Sequence, residues 1–261
     1  MPGRPRCLLP EKAGNARGSR LAGFAPDYNN LAAHRGFPAT RNLAPLTQNQ
    51  PEVRQITSLT GGKNFMGIQA TESAFKAHAG DYRLLHLAMH ALVNDSLPLY
   101  SSLVFYHEGP ASQDGRLYAY EIYNLPLQAE LLVLSACQTG YGKQRDGEGV
   151  MSLAHAFHYA GCPNIVTSLW QADDQSTARL MELFYLELKS GKPKDKALQQ
   201  ARLNYLAEGN QSHPFYWGAF VLVGDDAPVA MGTSPALAAW LICALIAVGF
   251  GWMLIRETGD N

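Results

Sequence analysis

The chain has 261 residues, enough to bury one large core without disulfide or metal staples. Hydrophobic residues make up 47% and charged ones only 16%, with 21 basic against 22 acidic side chains for a net charge of −1. Such a balance lacks the positive field on which nucleic-acid binding draws, and it excludes nucleic acid as the expected partner. Its cysteines, Cys7, Cys137, Cys162 and Cys243, form no CxxC pair, so neither a disulfide framework nor a zinc ribbon is present and any special cysteine acts alone.

Residues 1–20 carry Arg4, Arg6, Lys12, Arg17 and Arg20 against Glu11, are broken by Pro2, Pro5 and Pro10, and show no apolar period. This composition predicts a disordered basic segment, and it lacks the apolar centre of an export signal. Asn29 to Pro51, rich in Asn, Pro and small residues, reads as a long connection. A regular pattern follows. Tyr82 to Met89, Ala129 to Ala136 and Asn164 to Trp170 are short apolar runs expected to be strands covered on both faces, and Tyr216 to Val223 reads as a closing strand. Between them Val150, Leu153, Phe157 and Ala160 mark a helix face ending at Gly161. Ala178, Met181, Phe184, Tyr185 and Leu188 mark another, and Ala197, Leu198, Ala201 and Tyr205 a third beginning after Pro193. Strands alternating with helices imply a mostly parallel sheet with helices on both faces, whose ligands bind at the carboxyl ends of the strands. After a linker at 225–234, Pro235 to Ile255 is twenty-one residues without a charge, with Trp240 and Trp252 near its ends. It is long enough to cross a bilayer as a single helix, leaving a short tail at 256–261.

The carboxyl ends of the strands select the chemistry. His90 stands at the end of the run from Tyr82, and Cys137 at the end of the run from Ala129, followed by Gln138-Thr139-Gly140-Tyr141-Gly142. In neighbouring parallel strands, about 5 Å apart, imidazole and thiol can meet above the sheet edge. A thiol needs that neighbour, since only its thiolate is nucleophilic and a histidine can take the proton and return it to a leaving amine. The backbone N–H groups of Cys137 and Ala91 are the candidate oxyanion hole. Metal binding is not expected: His86 and His90 lie four apart in a strand, about 13 Å, too far for one zinc ion. His155 and His158 read as a solvated helix face, and Cys162 and Cys243 as structural. Neither GxxxxGK[ST] nor GxGxxG occurs, so no nucleotide cofactor is expected.

HLAMHA around His90, LLVLSACQTGYG around Cys137, GEGVMSLAHAF from Gly147, AGCPNIVTSLWQADDQSTARLM and HPFYWGAFVLVG resemble the CHAT domain, a caspase-like and separase-like peptidase module often fused to tetratricopeptide repeats. The resemblance runs from about Leu21 (LAGFAPDY) to Gly224. It implies a caspase-like three-layer sandwich over 21–224 and a His-Cys dyad, carried onto His90 and Cys137. Ala91 departs from the family's usual glycine after the histidine. The additional strands and repeat array that normally precede the LAGFAPDY-like segment are not visible, so the chain reads as the carboxyl-terminal part of a longer protein whose sheet lacks its first strands. The resulting expectation is a membrane-anchored, single-pass cysteine endopeptidase acting on protein substrates, with no cofactor. Its rival is a catalytically silent scaffold module on the same anchor, and an upstream tetratricopeptide-repeat region or partner is a further expectation. Trp170, Asp173 and Asp174, emerging at the same sheet edge, are expected to form an acidic pocket favouring a basic residue before the scissile bond, with Asp146 and Glu148 as alternative acids. One of the two aspartates is alternatively a cap for the helix beginning near Gln175.

The apolar run generates a test. Deleting Pro235 to Asn261 should move the chain from membranes to the soluble fraction, because about twenty apolar residues supply nearly all of the membrane affinity. A truncated chain that stays with membranes through an alkaline wash places the anchor elsewhere.

Overall fold

The computed structural model describes residues 21–28, 43, 45–107, 114–135, 137–138, 148–209 and 211–231. The chain opens with β1 (Leu21–Pro26), which passes to α1 (Asn49–Thr60), β2 (Lys63–Gly67) and α2 (Glu72–His78). Next come β3 (Leu84–Leu87), β4 (His90–Leu92), β5 (Ser102–Val104), β6 (Arg116–Tyr118), the single-turn α3 (Ala119–Ile122), β7 (Leu131–Leu134) and β8 (Cys137–Gln138). It finishes with α4 (Glu148–Tyr159), β9 (Ile165–Ser168), α5 (Asp174–Lys189), α6 (Lys194–Ala207), α7 (Pro214–Trp217) and β10 (Phe220–Val223).

Six strands form the main sheet in the order β10-β9-β7-β3-β1-β2, all parallel except β10. The apolar runs are uniform because both faces are covered. Leu132 and Leu134 of β7 join a core with Phe75, Leu153 and Phe157 on one side, while Leu131 and Val133 join Leu180, Phe184, Leu198 and Ala201 on the other. That is the three-layer arrangement expected of the domain. α1 lies directly on β1: a Cβ at Gly23 would come 2.7 Å from Val53 Cγ1, so only glycine admits this approach. The helix-facing side also carries polar groups. His86 of β3 is fully buried, with Nε2 3.0 Å from Glu52 Oε1 of α1 and Nδ1 3.3 Å from the hydroxyl of Tyr185 of α5, so polar groups of three elements satisfy one another inside the core.

A second, four-stranded sheet of order β6-β5-β4-β8 grows out of the first. The chain passes from β3, ending at Leu87, to β4, beginning at His90, and from β7, ending at Leu134, to β8, beginning at Cys137. Both parallel neighbours therefore change sheet at the same height.

Several expectations shift at their edges. The strand expected over Tyr82 to Met89 is shorter, because residues 79–81 form a 3-10 turn ahead of it and the chain turns to the second sheet behind it. Of the closing strand, only Phe220–Val223 is extended, and it runs antiparallel to β9. Tyr216 belongs instead to α7, where Pro214 sets the first turn and His213 Nδ1 caps the amide of Phe215 at 3.2 Å. The connection expected to run through Pro51 ends earlier, since α1 begins at Asn49 and a proline in a first helical turn loses no bond. In the stretch expected to be a linker, Val229 is buried against the α5–α6 core while 225–228 and 230 are exposed. The buried Lys194 ammonium meets Asp225 Oδ1 at 2.9 Å and the carbonyl of Ala227 at 2.5 Å. Residues 1–20 and the apolar run 235–255 lie outside the described residues. Among those described, no helix is long and apolar enough to cross a membrane.

Gly161 ends α4 at φ 114°, and a Cβ there would sit 2.1 Å from the carbonyl oxygen of Leu127. Gly161→Ala should cost about 2–4 kcal/mol, from a forbidden backbone region and a backbone collision together. Urea unfolding measures this, and a loss below about 0.5 kcal/mol would show that the turn yields freely.

Candidate functional site

β3 and β7 pair in parallel with Leu87 opposite Leu134. Three residues further along each strand, β4 and β8 pair in parallel with His90 opposite Cys137 and Ala91 opposite Gln138. Equal steps from a shared rung thus carry the two residues across the change of sheet as direct neighbours, at the ordinary strand spacing of about 5 Å. The side chain of Cys137 and the loop 139–147, with Asp146, lie outside the described residues, as does the side chain of Glu148 at the start of α4.

His90 is 1% exposed. Its backbone N–H donates to the hydroxyl of Tyr28 at 3.0 Å, and that hydroxyl donates to the carbonyl of Val104 at 2.6 Å. The Tyr28 ring stands edge-on to the imidazole, with centroids 4.6 Å apart at 60°. Tyr28 lies two residues beyond β1, and Val104 lies opposite His90 in β5. Ala91, the second expected oxyanion donor, is buried in the middle of β4 opposite Leu103.

β9 neighbours β7 in the sheet and runs parallel to it, so Trp170 to Asp173 emerge at the same carboxyl edge as the His90–Cys137 pair. There they line an open cavity of about 700 Å³ together with His213, Phe215 and Tyr216. Trp170 Nε1 donates to the carbonyl of Phe215 at 3.1 Å, which fixes the indole as a wall. Asp173 caps α5 through Oδ2, accepting from the Ser176 amide at 2.9 Å and its hydroxyl at 2.8 Å. Asp174 is engaged differently: its Oδ2 accepts from the amides of Thr47 and Gln48, each at 2.8 Å, and so ties the start of α5 to the start of α1. It is not among the residues lining this cavity. His213, Phe215 and Tyr216 escaped the sequence reading as pocket walls. Their signal was the polar cap and proline before three aromatics in HPFYW, which reads as a turn rather than as the end of a strand.

The remaining candidates sit apart. Cys162 is fully buried, and burial pushes its thiol up to about 12, the behaviour of a small apolar side chain. His155 and His158 are exposed on α4. Among the described residues no group of three His, Cys, Asp or Glu is placed to hold a metal ion.

The chain belongs to the CHAT domain family, whose sequence model matches residues 3–225 and so starts upstream of Leu21, where the motifs alone put the beginning. It is 25% identical over 213 residues to human tetratricopeptide repeat protein 28, a match covering 70% of this chain and 8% of that protein. The mouse protein of the same name matches at 24% identity, over 70% of this chain and 9% of its own length. The chain therefore spans less than a tenth of these relatives. Among solved structures it is similar to the Arg-specific cysteine proteinase gingipain R, at a TM-score of 0.50 and 10% identity over 82% of this chain and 48% of the other. That similarity shows the fold alone, a mixed α/β architecture with a mostly parallel sheet.

The raised Cys162 thiol makes a pH test. The unfolded thiol ionises near its ordinary 9.0 while the buried one keeps its proton, so the stability it contributes is complete below about pH 9 and is lost as pH climbs towards 12. Wild type should lose up to about 1.4 kcal/mol more per pH unit than Cys162→Ala over that window. Parallel unfolding curves at pH 9 and 10.5 measure the difference; equal slopes would show that the thiol ionises in place.

Proposed function

We propose that this CHAT domain chain is a cysteine endopeptidase in which Cys137 is the nucleophile and His90 the proton carrier, held at a membrane by 235–255. The observation that carries the reading is the β4–β8 register, with His90 opposite Cys137 at the mouth of the sheet. In the reaction the imidazole of His90 accepts the thiol proton, and the thiolate sulfur attacks the scissile carbonyl carbon. The carbonyl π pair moves onto oxygen, where the N–H groups of Cys137 and Ala91 are the proposed donors. Collapse of that intermediate expels the amine, which takes the proton from the imidazolium, and a water with His90 as base then hydrolyses the thioester.

The cavity walled by Trp170 and Tyr216 lies one strand away and is the proposed pocket for the residue before the scissile bond. Asp173 supplies its charge. With Oδ2 engaged by Ser176, Oδ1 takes no hydrogen bond among the described residues, leaving an acceptor for a guanidinium stacked on the indole. Asp174, committed to Thr47 and Gln48, is assigned to structure rather than to substrate. The name of the two mammalian relatives supports a tetratricopeptide-repeat region, in the same polypeptide or on a partner, as what presents the substrate.

The test is a peptide library varied only at the residue before the scissile bond. Wild type should prefer arginine or lysine, Asp173→Asn should lose about tenfold of that preference, and Cys137→Ala should cleave nothing while unfolding like wild type. Cleavage by Cys137→Ala would sink the nucleophile assignment. A preference for aspartate would sink the pocket alone. A folded wild type that cleaves no member would favour the scaffold reading.

A further inference from the structure

We propose that Tyr28 is a positioning residue for His90, setting the imidazole against Cys137 through its hydroxyl and its ring together. The inference rests on the dyad reading and adds a residue to it from a different element, the segment after β1. His90 opens β4 and Val104 closes β5, so their rung is the outermost one of that antiparallel pair, where a ladder frays most readily. The Tyr28 hydroxyl spans it, taking the N–H of His90 and giving its own proton to the carbonyl of Val104. Both residues are buried, so water is a poor substitute for either bond. Meanwhile the ring, edge-on to the imidazole at 4.6 Å, limits rotation of the histidine side chain.

These two contacts act on different freedoms. The hydroxyl sets where the His90 backbone lies relative to β5, and hence to β8 on the other side of β4. The ring sets which way the imidazole faces. Tyr28 is itself fixed, since it is 4% exposed and follows β1, a strand paired on both sides. In a histidine–cysteine pair the imidazolium beside the sulfur favours the thiolate at neutral pH, so loosening His90 should show directly in the ionisation of Cys137.

The experiment reads that ionisation without a known substrate: the rate of Cys137 alkylation by iodoacetamide from pH 5 to 10, on the full chain, with the site of labelling identified by peptide mass. Wild type should react well below the ordinary thiol range, and His90→Ala should abolish this. Tyr28→Phe should slow alkylation at pH 6 by about tenfold and move the profile towards that of a free thiol, near 8.5. Because Tyr28→Phe leaves two buried groups facing a small void, 4-fluorophenylalanine at position 28 serves as a second variant that fills the space without a donor. Tyr185→Phe, which removes another fully buried hydroxyl facing His86, should lower thermal stability and leave the profile unmoved. A wild-type profile in both Tyr28 variants, or an equal shift in Tyr185→Phe, would overturn the positioning role and leave the dyad standing. An ordinary thiol profile in wild type, unchanged in His90→Ala, would overturn the dyad and with it this inference.

Discussion

The parallel pairing of β3 with β7 is the constraint on which the rest of the site depends. The rung at Leu87 and Leu134 is buried between two apolar layers, and a slip of one residue would turn each side chain to the opposite layer and take His86 away from Glu52 and Tyr185. Register is therefore set by the core, far more firmly than any loop could set it. Because pairing resumes three residues on in both strands, the register passes unaltered to His90 and Cys137. The two proposed reacting residues need no contact of their own to become neighbours; hydrophobic burial behind them does it.

Around that edge, polar groups fix what the hydrophobic layers leave loose. Asn49, at the start of α1, donates through Nδ2 to the carbonyls of Pro26 at 2.8 Å and Ala88 at 3.4 Å, where β1 and β3 end. Asp174 binds the amides just before α1 from the first turn of α5, where the helix dipole favours an acid. Glu52, His86 and Tyr185 join the same two helices to β3 one layer deeper. The ends of β1 and β3 and the beginnings of α1 and α5 thus form one frame. The cavity beside Trp170 lies next to that frame, its walls coming from the segment between β9 and α5 and from His213, Phe215 and Tyr216.

Much of this was legible in the chain. The runs around Leu84, Leu131 and Ile165 announce strands because strands covered on both faces carry no polar alternation, and α5 and α6 announce themselves through apolar residues at helical spacing. His90 and Cys137 stand out because residues at the carboxyl ends of parallel strands face the ligand edge. α1 was hidden: NQPEVRQITSLT carries a proline and few apolar residues, and its burial depends on Gly23 allowing it close to β1. The second sheet was hidden too, since β4, β5 and β6 are three residues each and β8 two, too short for any period to show.

By itself the sequence determined the layer order, the parallel sheet and the two residues at its mouth, because these follow from local periodicity and from the topology that alternating elements impose. Only the tertiary structure decided what each polar side chain does once there. Asp173 and Asp174 are adjacent and chemically alike, yet one faces the cavity while capping its own helix and the other bonds the amides of Thr47 and Gln48. Tyr28 meets His90 from 62 residues away and Val104 from 76. A hydrogen bond of about 3 Å is set by where two backbones come to rest, and no spacing along the chain encodes that distance.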